Sequence, residues 1–228
     1  MNKVYLSVTA HPDDEVLGFG GTAYQLTKAG HTVVNCILSG KVEVRVNRPD
    51  IEELNQDIKK AEQILGCQPS ILGDFPNIRF NTIPHIDLVR FIEQAIELVQ
   101  PDCIFTHHPY DLNNDHHQVS IACQAAARLF QRKPTKPLEG LYFMEILSST
   151  DWSFAQSGMQ FQPNAFFQIG EDGLEKKIQA LEAYRGVMRD YPHPRSKEVI
   201  TGLAASRGAQ AGLNYAESFQ TAFQILSI

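Results

Sequence analysis

The chain has 228 residues, of which 43% are hydrophobic, enough for one sizeable α/β core or two very small ones. Its formal net charge of -6 argues against a general nucleic-acid binder. No apolar run approaches the ~20 residues of a membrane span, and because the first residues enter a strand-like pattern directly, no signal peptide is expected. A cytoplasmic location is therefore expected. Cys36, Cys67, Cys103 and Cys123 show no paired spacing, so they are expected to be reduced and mostly buried rather than part of a zinc knuckle or redox motif.

In chain order, "KVYLSVTA" reads as a buried strand and "FGGTAYQLTKAG" as a helix closed by Gly30. "HTVVNCIL" is β-branched and apolar, a second strand. Over "DIEELNQDIKKAEQILG", Ile51, Leu54, Ile58, Ala61 and Leu65 recur at helical spacing, and Gly66 stops the helix. "PSILGDF" is a short strand, and "IPHIDLVRFIEQAIELV" an amphipathic helix ended by Pro101. "DCIFTHH" is a strand and "DHHQVSIACQAAARLF" a helix. "RKPTKP" reads as an exposed loop, "GLYFMEILSS" and "NAFFQIG" as strands, and "LEKKIQALEAY" as a helix. Strands alternating with helices predict a mainly parallel sheet with helices on both faces. Nothing marks a boundary, so residues 1–228 are expected to form a single domain.

In such sheets ligands bind at the carboxyl ends of the strands. Two strand ends are chemically unusual: "HPDDE" after the first strand and "THHPYDLNNDHH" after the strand that ends near Phe105. Gly18, Gly20 and Gly21 come too late for a dinucleotide turn, and Asp13 and Asp14 would repel a phosphate there. A metal accounts for the acids better. His11 and Asp14 are three apart, so one helical turn puts them on one face. Imidazole and carboxylate both suit zinc. A third ligand would come from His107, His108, His116 or His117. Three ligands and an open position make a catalytic zinc site, in which bound water is acidified to a pKa of ~7. Asp13 would then be left to take a proton from that water. The plainer alternative is that "HPDD" merely caps the next helix.

"AHPDDE" followed by "NDHHQV" resembles the LmbE-like, or PIG-L, family of zinc-dependent N-deacetylases. "MEILSSTDW", "FQPNAFFQIG", "YPHPRSKEVI" and "RGAQAGLNYAESF" resemble later segments of a bacterial branch, so the likeness covers nearly the whole chain. The resemblance implies a single-domain Rossmann-like α/β fold and removal of the acetyl group from an N-acetylated sugar or glycoconjugate. It implies one catalytic Zn2+ on His11, Asp14 and His116, Asp13 as general base, and Asp115 as a residue that orients a ligand.

Many relatives carry a further histidine three positions before the metal ligand, and here that position holds Asn113. His108 or Tyr110 could assume its part in stabilising the oxyanion, and His108 is the expected choice because it ends a strand and can also donate a proton. Asn77 and Asn81 stand where related sequences often have Asp, so Asn77 is expected to flank the substrate. Prolines on both sides of His193 hold that segment extended. Arg195 could then bind an anionic substrate group or the site's own acids. Arg45 and Arg48, in the loop after the second strand, are expected at the same edge. The expected partner is a small-molecule N-acetyl sugar or conjugate, with neither nucleic acid nor membrane span, and a homo-oligomer is compatible. Two rival readings use the same residues: a non-haem iron enzyme, which also takes two His and a carboxylate, and a sugar-binding relative without catalysis.

Overall fold

The computed structural model describes residues 2–40, 49–154 and 159–226. Arg45 and Arg48 lie outside the described residues. Seven strands form one sheet: β1 (Val4–Thr9), β2 (Thr32–Ile37), β3 (Ile71–Leu72), β4 (Cys103–His107), β5 (Gly140–Met144), β6 (Ala165–Gln168) and β7 (Ala216–Gln224). Their order is β3-β2-β1-β4-β5-β7-β6. The first five of these are joined by parallel pairings, and β7 runs antiparallel to both β5 and β6. The sheet is thus mainly parallel, as the alternation predicts.

Among the described residues six α-helices cover it: α1 (Asp14–Lys28), α2 (Ile51–Leu65), α3 (His85–Val99), α4 (Asn114–Ala126), α5 (Gly170–Ala183) and α6 (Lys197–Gln210). Alternation along β1 feeds two cores. Tyr5 packs with Leu17, Phe19, Leu54, Ile178 and Ile200, from α1, α2, α5 and α6. Leu6 and Val8 point to the opposite core, with Leu88 and Ile92 of α3 and Val119 and Cys123 of α4. A strand buried on both faces is largely apolar, which is why "VYLSV" reads as a run; its Ser7 is buried with its hydroxyl donating to Asn35 Oδ1 at 2.7 Å.

The boundaries differ from the sequence reading in instructive ways. Helix α1 begins at Asp14, not Phe19, because the acidic turn itself is helical. Gly18 and Gly21 then lie inside it. A Cβ at Gly18 would stand 2.7 Å from Ile146 Cδ1, and one at Gly21 2.9 Å from Ile169 Cδ1, so these glycines let the helix approach the chain that follows β5 and β6. Strand β5 stops at Met144, and "EILSS" continues as a turn. Helix α6 and strand β7 were not anticipated. Only Ile200, Ala204 and Gly208 of α6 are buried, too few to show a period. Strand β7 buries Glu217 and Ser218 where alternation would want apolar residues.

Strands β1 and β4 are neighbours, and connections leave them toward opposite sides of the sheet, β1 toward β2 and β4 toward β5. Their carboxyl ends define the topological switch point, where open α/β sheets bind ligands. "HPDDE" and "THHPYDLNNDHH" both sit there.

Candidate metal and catalytic site

His11 follows β1 and Asp14 opens α1. Between them Asp13 takes a left-handed φ of 102°, an unusual conformation for a residue other than glycine. Its carbonyl accepts from Val16 and Leu17 N–H at 3.1 and 2.9 Å, and its own N–H donates to Glu15 Oε2 at 3.0 Å. Across the switch point, Asn113 caps α4, its Oδ1 accepting from Asp115 N–H at 2.9 Å. That cap starts the helix one turn before His116 and aims it at β1.

The two clusters meet at Asp14. Its Oδ2 is 3.3 Å from His11 Nδ1, 3.1 Å from His116 Nε2 and 3.6 Å from His107 Nε2. His11, Asp14 and His116 are all buried, with one potential ligand atom from each lying within 4.8 Å of the others. Behind each histidine stands a second carboxylate. His11 Nε2 donates to Asp115 Oδ2 at 3.0 Å, and His116 Nδ1 is 3.2 Å from Asp111 Oδ2. Each imidazole is thus held by its far nitrogen and turns the other toward Asp14, the arrangement by which outer carboxylates orient metal-binding histidines.

The electrostatics follow from this crowding. Burial would raise Asp14, yet the imidazoles of His116, His11 and His107 outweigh it and hold the carboxyl well below its ordinary range. Burial opposes charge on His116, but Asp14 and Asp111 together push it up to about 10. His107 has no such support: burial first, then the neighbouring His116, lower it to about 3, and it is neutral. Glu15, beneath Asp13, is pushed up to about 8 by burial, against the hydrogen bond from Tyr184 Oη. A divalent ion suits this setting, because it would bring positive charge to a buried cluster whose two acids, Asp14 and Asp111, already favour it.

The cluster opens on a cleft of about 600 Å³ lined by His11, Asp14, His116, Asn113, Ser149 and Arg195 among others. A family model described as GlcNAc-PI de-N-acetylase, PIG-L, matches residues 6–127, more than half of the chain. The chain belongs to the PIG-L family. It is 22% identical to the uncharacterized deacetylase YaiS of Escherichia coli K12, over 80% of this chain and 91% of that one. The fold resembles that of N,N'-diacetylchitobiose deacetylase from Pyrococcus horikoshii, with a TM-score of 0.76 at 18% identity, covering 96% of this chain and 83% of the other. It equally resembles GalB, a 4-carboxy-2-hydroxymuconate hydratase from Pseudomonas putida KT2440, with a TM-score of 0.77 at 20% identity and coverage of 99% and 98%. The fold alone therefore does not choose the reaction.

Within this PIG-L fold, the other expected residues fall in distinct places. Asp13 is fully buried and does not line the cleft, but its Oδ2 accepts from Arg195 Nη1 at 3.1 Å, and Arg195 does line it. Arg195 also donates from Nε to Ser148 Oγ at 2.8 Å. The arginine thus reaches the site's own acid. Asn77 lies in the cleft wall, buried, its Oδ1 without a hydrogen-bond partner among the described residues. His193 accepts from Arg195 N–H through Nδ1 and sets its ring against Trp152, outside the lining. His108 packs among Tyr110, Phe143 and Phe161 and is not a lining residue. His117 points its Nδ1 at the Pro109 carbonyl.

Of the two strand-end histidines, His107 is the one that joins the cluster, stacked on His116 with ring centroids 3.9 Å apart. Sequence reasoning missed Asp111. Its carboxylate accepts from the hydroxyls of Ser149 and Thr150 as well as flanking His116. The available signal was an acid five residues before the histidine, in a loop too rich in Asp and Asn to single one out.

Proposed function

We propose that this chain is a zinc-dependent hydrolase that removes the acetyl group from an N-acetylated sugar or sugar conjugate, giving acetate and a free amine. The observation that supports it best is the His11–Asp14–His116 cluster at the β1/β4 switch point, backed by Asp115 and Asp111 and open to the cleft. His11 Nδ1, the Asp14 carboxylate and His116 Nε2 would hold the ion, a donor set suited to zinc. Bound there, zinc would acidify a water and polarise the acetamide carbonyl.

The chain's own residues supply the proton traffic. Asp13 is the carboxylate left over once Asp14 is engaged; it stands behind the cleft lining but adjoins Asp14 in the chain and bonds to the lining residue Arg195, and in this reading it takes the proton of the attacking water. Its left-handed backbone and its bond to Arg195 fix the direction of the carboxylate. The same acid returns the proton to the departing nitrogen, which must leave as an amine. For the oxyanion, Asn113 is better placed than His108: it lines the cleft, and with Oδ1 capping α4 its Nδ2 remains a donor.

The test is acetate release from a panel of N-acetyl sugars and nucleotide sugars by the zinc-loaded protein. Acetate should appear, cease on chelation and return with zinc. Saturable sugar binding with no acetate would point to a non-catalytic relative, and oxygen-dependent turnover with iron to an oxygenase.

A further inference from the structure

The floor of the cleft is polar, but three exposed apolar side chains also line it, Ile78, Leu112 and Trp152, of which Ile78 and Trp152 are held by the site's own carboxylates. Ile78 is 52% exposed and has a φ of 61°, a left-handed conformation that a β-branched residue keeps only under constraint. Trp152, the one tryptophan of the chain, is 44% exposed.

Both are tied to the carboxylates that orient the site histidines. Asp115, which holds His11, also accepts from the N–H groups of Ile78 at 2.6 Å and Phe80 at 3.0 Å. Asp111, beside His116, accepts from the hydroxyls of Ser149 and Thr150, in the turn that leads to Trp152. That turn is closed by Ser149 and Thr150 N–H on the Ile146 carbonyl at 3.1 and 2.8 Å. The indole meets His193 edge-on, with centroids 6.0 Å apart. Each carboxylate therefore positions an imidazole and an apolar wall together.

We propose that Trp152 and Ile78 are the positioning residues that make the site selective for a pyranose ring over an acyclic N-acetyl amine; this rests on the deacetylase reading above. A pyranose presents C–H groups on its faces and hydroxyls around its rim. An indole covers a face and leaves the rim free, combining apolar area with little conformational freedom to lose. The rim then meets polar lining. Asn77 Oδ1, buried and without a partner among the described residues, is an acceptor that a ring hydroxyl would satisfy. Ile78, the next residue, supplies an apolar contact beside it.

A single tryptophan makes this directly measurable. The zinc-loaded protein is titrated with three N-acetylhexosamines (gluco, galacto and manno) and with acyclic N-acetylethanolamine, and intrinsic fluorescence and acetate are both read. At least one hexosamine should give a saturable fluorescence change, and the acyclic amide should not. Trp152→Ala should raise KM for that sugar roughly tenfold, with a smaller change in kcat, and Trp152→Phe should restore most of the loss. Ile78→Gly should also raise KM while retaining or raising Tm, since glycine takes this φ freely. Acetate release without a fluorescence change, or with unchanged KM in Trp152→Ala, overturns the inference and leaves the deacetylase reading standing. A saturable change without acetate upholds the ring subsite and removes the deacetylase reading. Neither signal from any of the sugars overturns both.

Discussion

His11 and Asp115 stand 104 residues apart and meet at 3.0 Å, the imidazole donating from Nε2. That bond holds the ring and turns its Nδ1 toward Asp14 Oδ2, 3.3 Å away. On His116 the roles of the ring nitrogens are reversed: Nδ1 faces Asp111 and Nε2 faces Asp14. The reversal follows from where the residues sit, one leaving a strand end and the other on the first turn of a helix. Two elements entering from different directions here converge on one carboxylate, each presenting a different edge of its ring.

The outer carboxylate should therefore govern metal affinity without being a ligand. Asp115→Asn is expected to weaken zinc binding roughly 10–100-fold, the usual worth of such a partner. Competition with a chromophoric chelator measures it. Unchanged affinity would mean that the His11–Asp115 bond has no part in binding.

The ligands themselves should be all-or-none. His11→Ala or His116→Ala leaves two donors, and both metal and activity should go together. Asp13→Asn should keep the metal and lose ~100-fold or more in rate. Elemental analysis beside kinetics separates the two behaviours. A metal-free Asp13→Asn with a metal-bound Asp14→Asn would exchange the roles of the neighbouring acids.

The fold and the cluster were legible to different depths. Buried parallel strands are largely apolar, so β1, β2 and β4 stand out, and "HPDDE" stands out because so much charge ends such a run. The partner cluster could be found for the same reason. What could not be read was direction. His107 and His108 are adjacent in sequence, and only the register of β4 against β1 and β5 decides which ring joins Asp14. Asp111, Ser149 and Thr150 form a network across 38 and 39 residues, with no local signature. Trp152 lies three residues past "GLYFMEILSS", the stretch that reads as a strand, and is placed only by the turn at Ile146–Thr150.

Direction also decides the oxyanion donor. Asn113→Ala should cost about 2.7–4 kcal/mol of transition-state stabilisation, as removal of one such donor does elsewhere, with metal content unchanged. His108→Ala should change kcat little, because its ring packs against Tyr110, Phe143 and Phe161. Kinetics of both on one confirmed substrate are decisive. A large loss in His108→Ala with a mild effect in Asn113→Ala would return the role to His108.

Outside the cleft lining, α1 is fastened by a buried ion pair. Lys177 Nζ lies 2.7 Å from Glu217 Oε1, with side chains 7% and 6% exposed. The Glu217 carboxylate also accepts from the N–H groups of Gly21 and Thr22, at 3.0 and 2.8 Å, and Lys177 donates to the Leu17 carbonyl at 2.7 Å. Three elements, α1, α5 and β7, are joined through two side chains. Burying such a pair gains little over an apolar replacement, but removing one partner strands a charge in the core. Glu217→Ala should therefore cost about 3–5 kcal/mol, read from urea unfolding, because it leaves the Lys177 ammonium without its counter-ion. Adding Lys177→Met to that variant should recover part of the loss, since the stranded charge goes with it. A double variant as unstable as the sum of the two single ones would show that the pair is not coupled, and that the cost of Glu217→Ala lies in the two uncovered amides of α1.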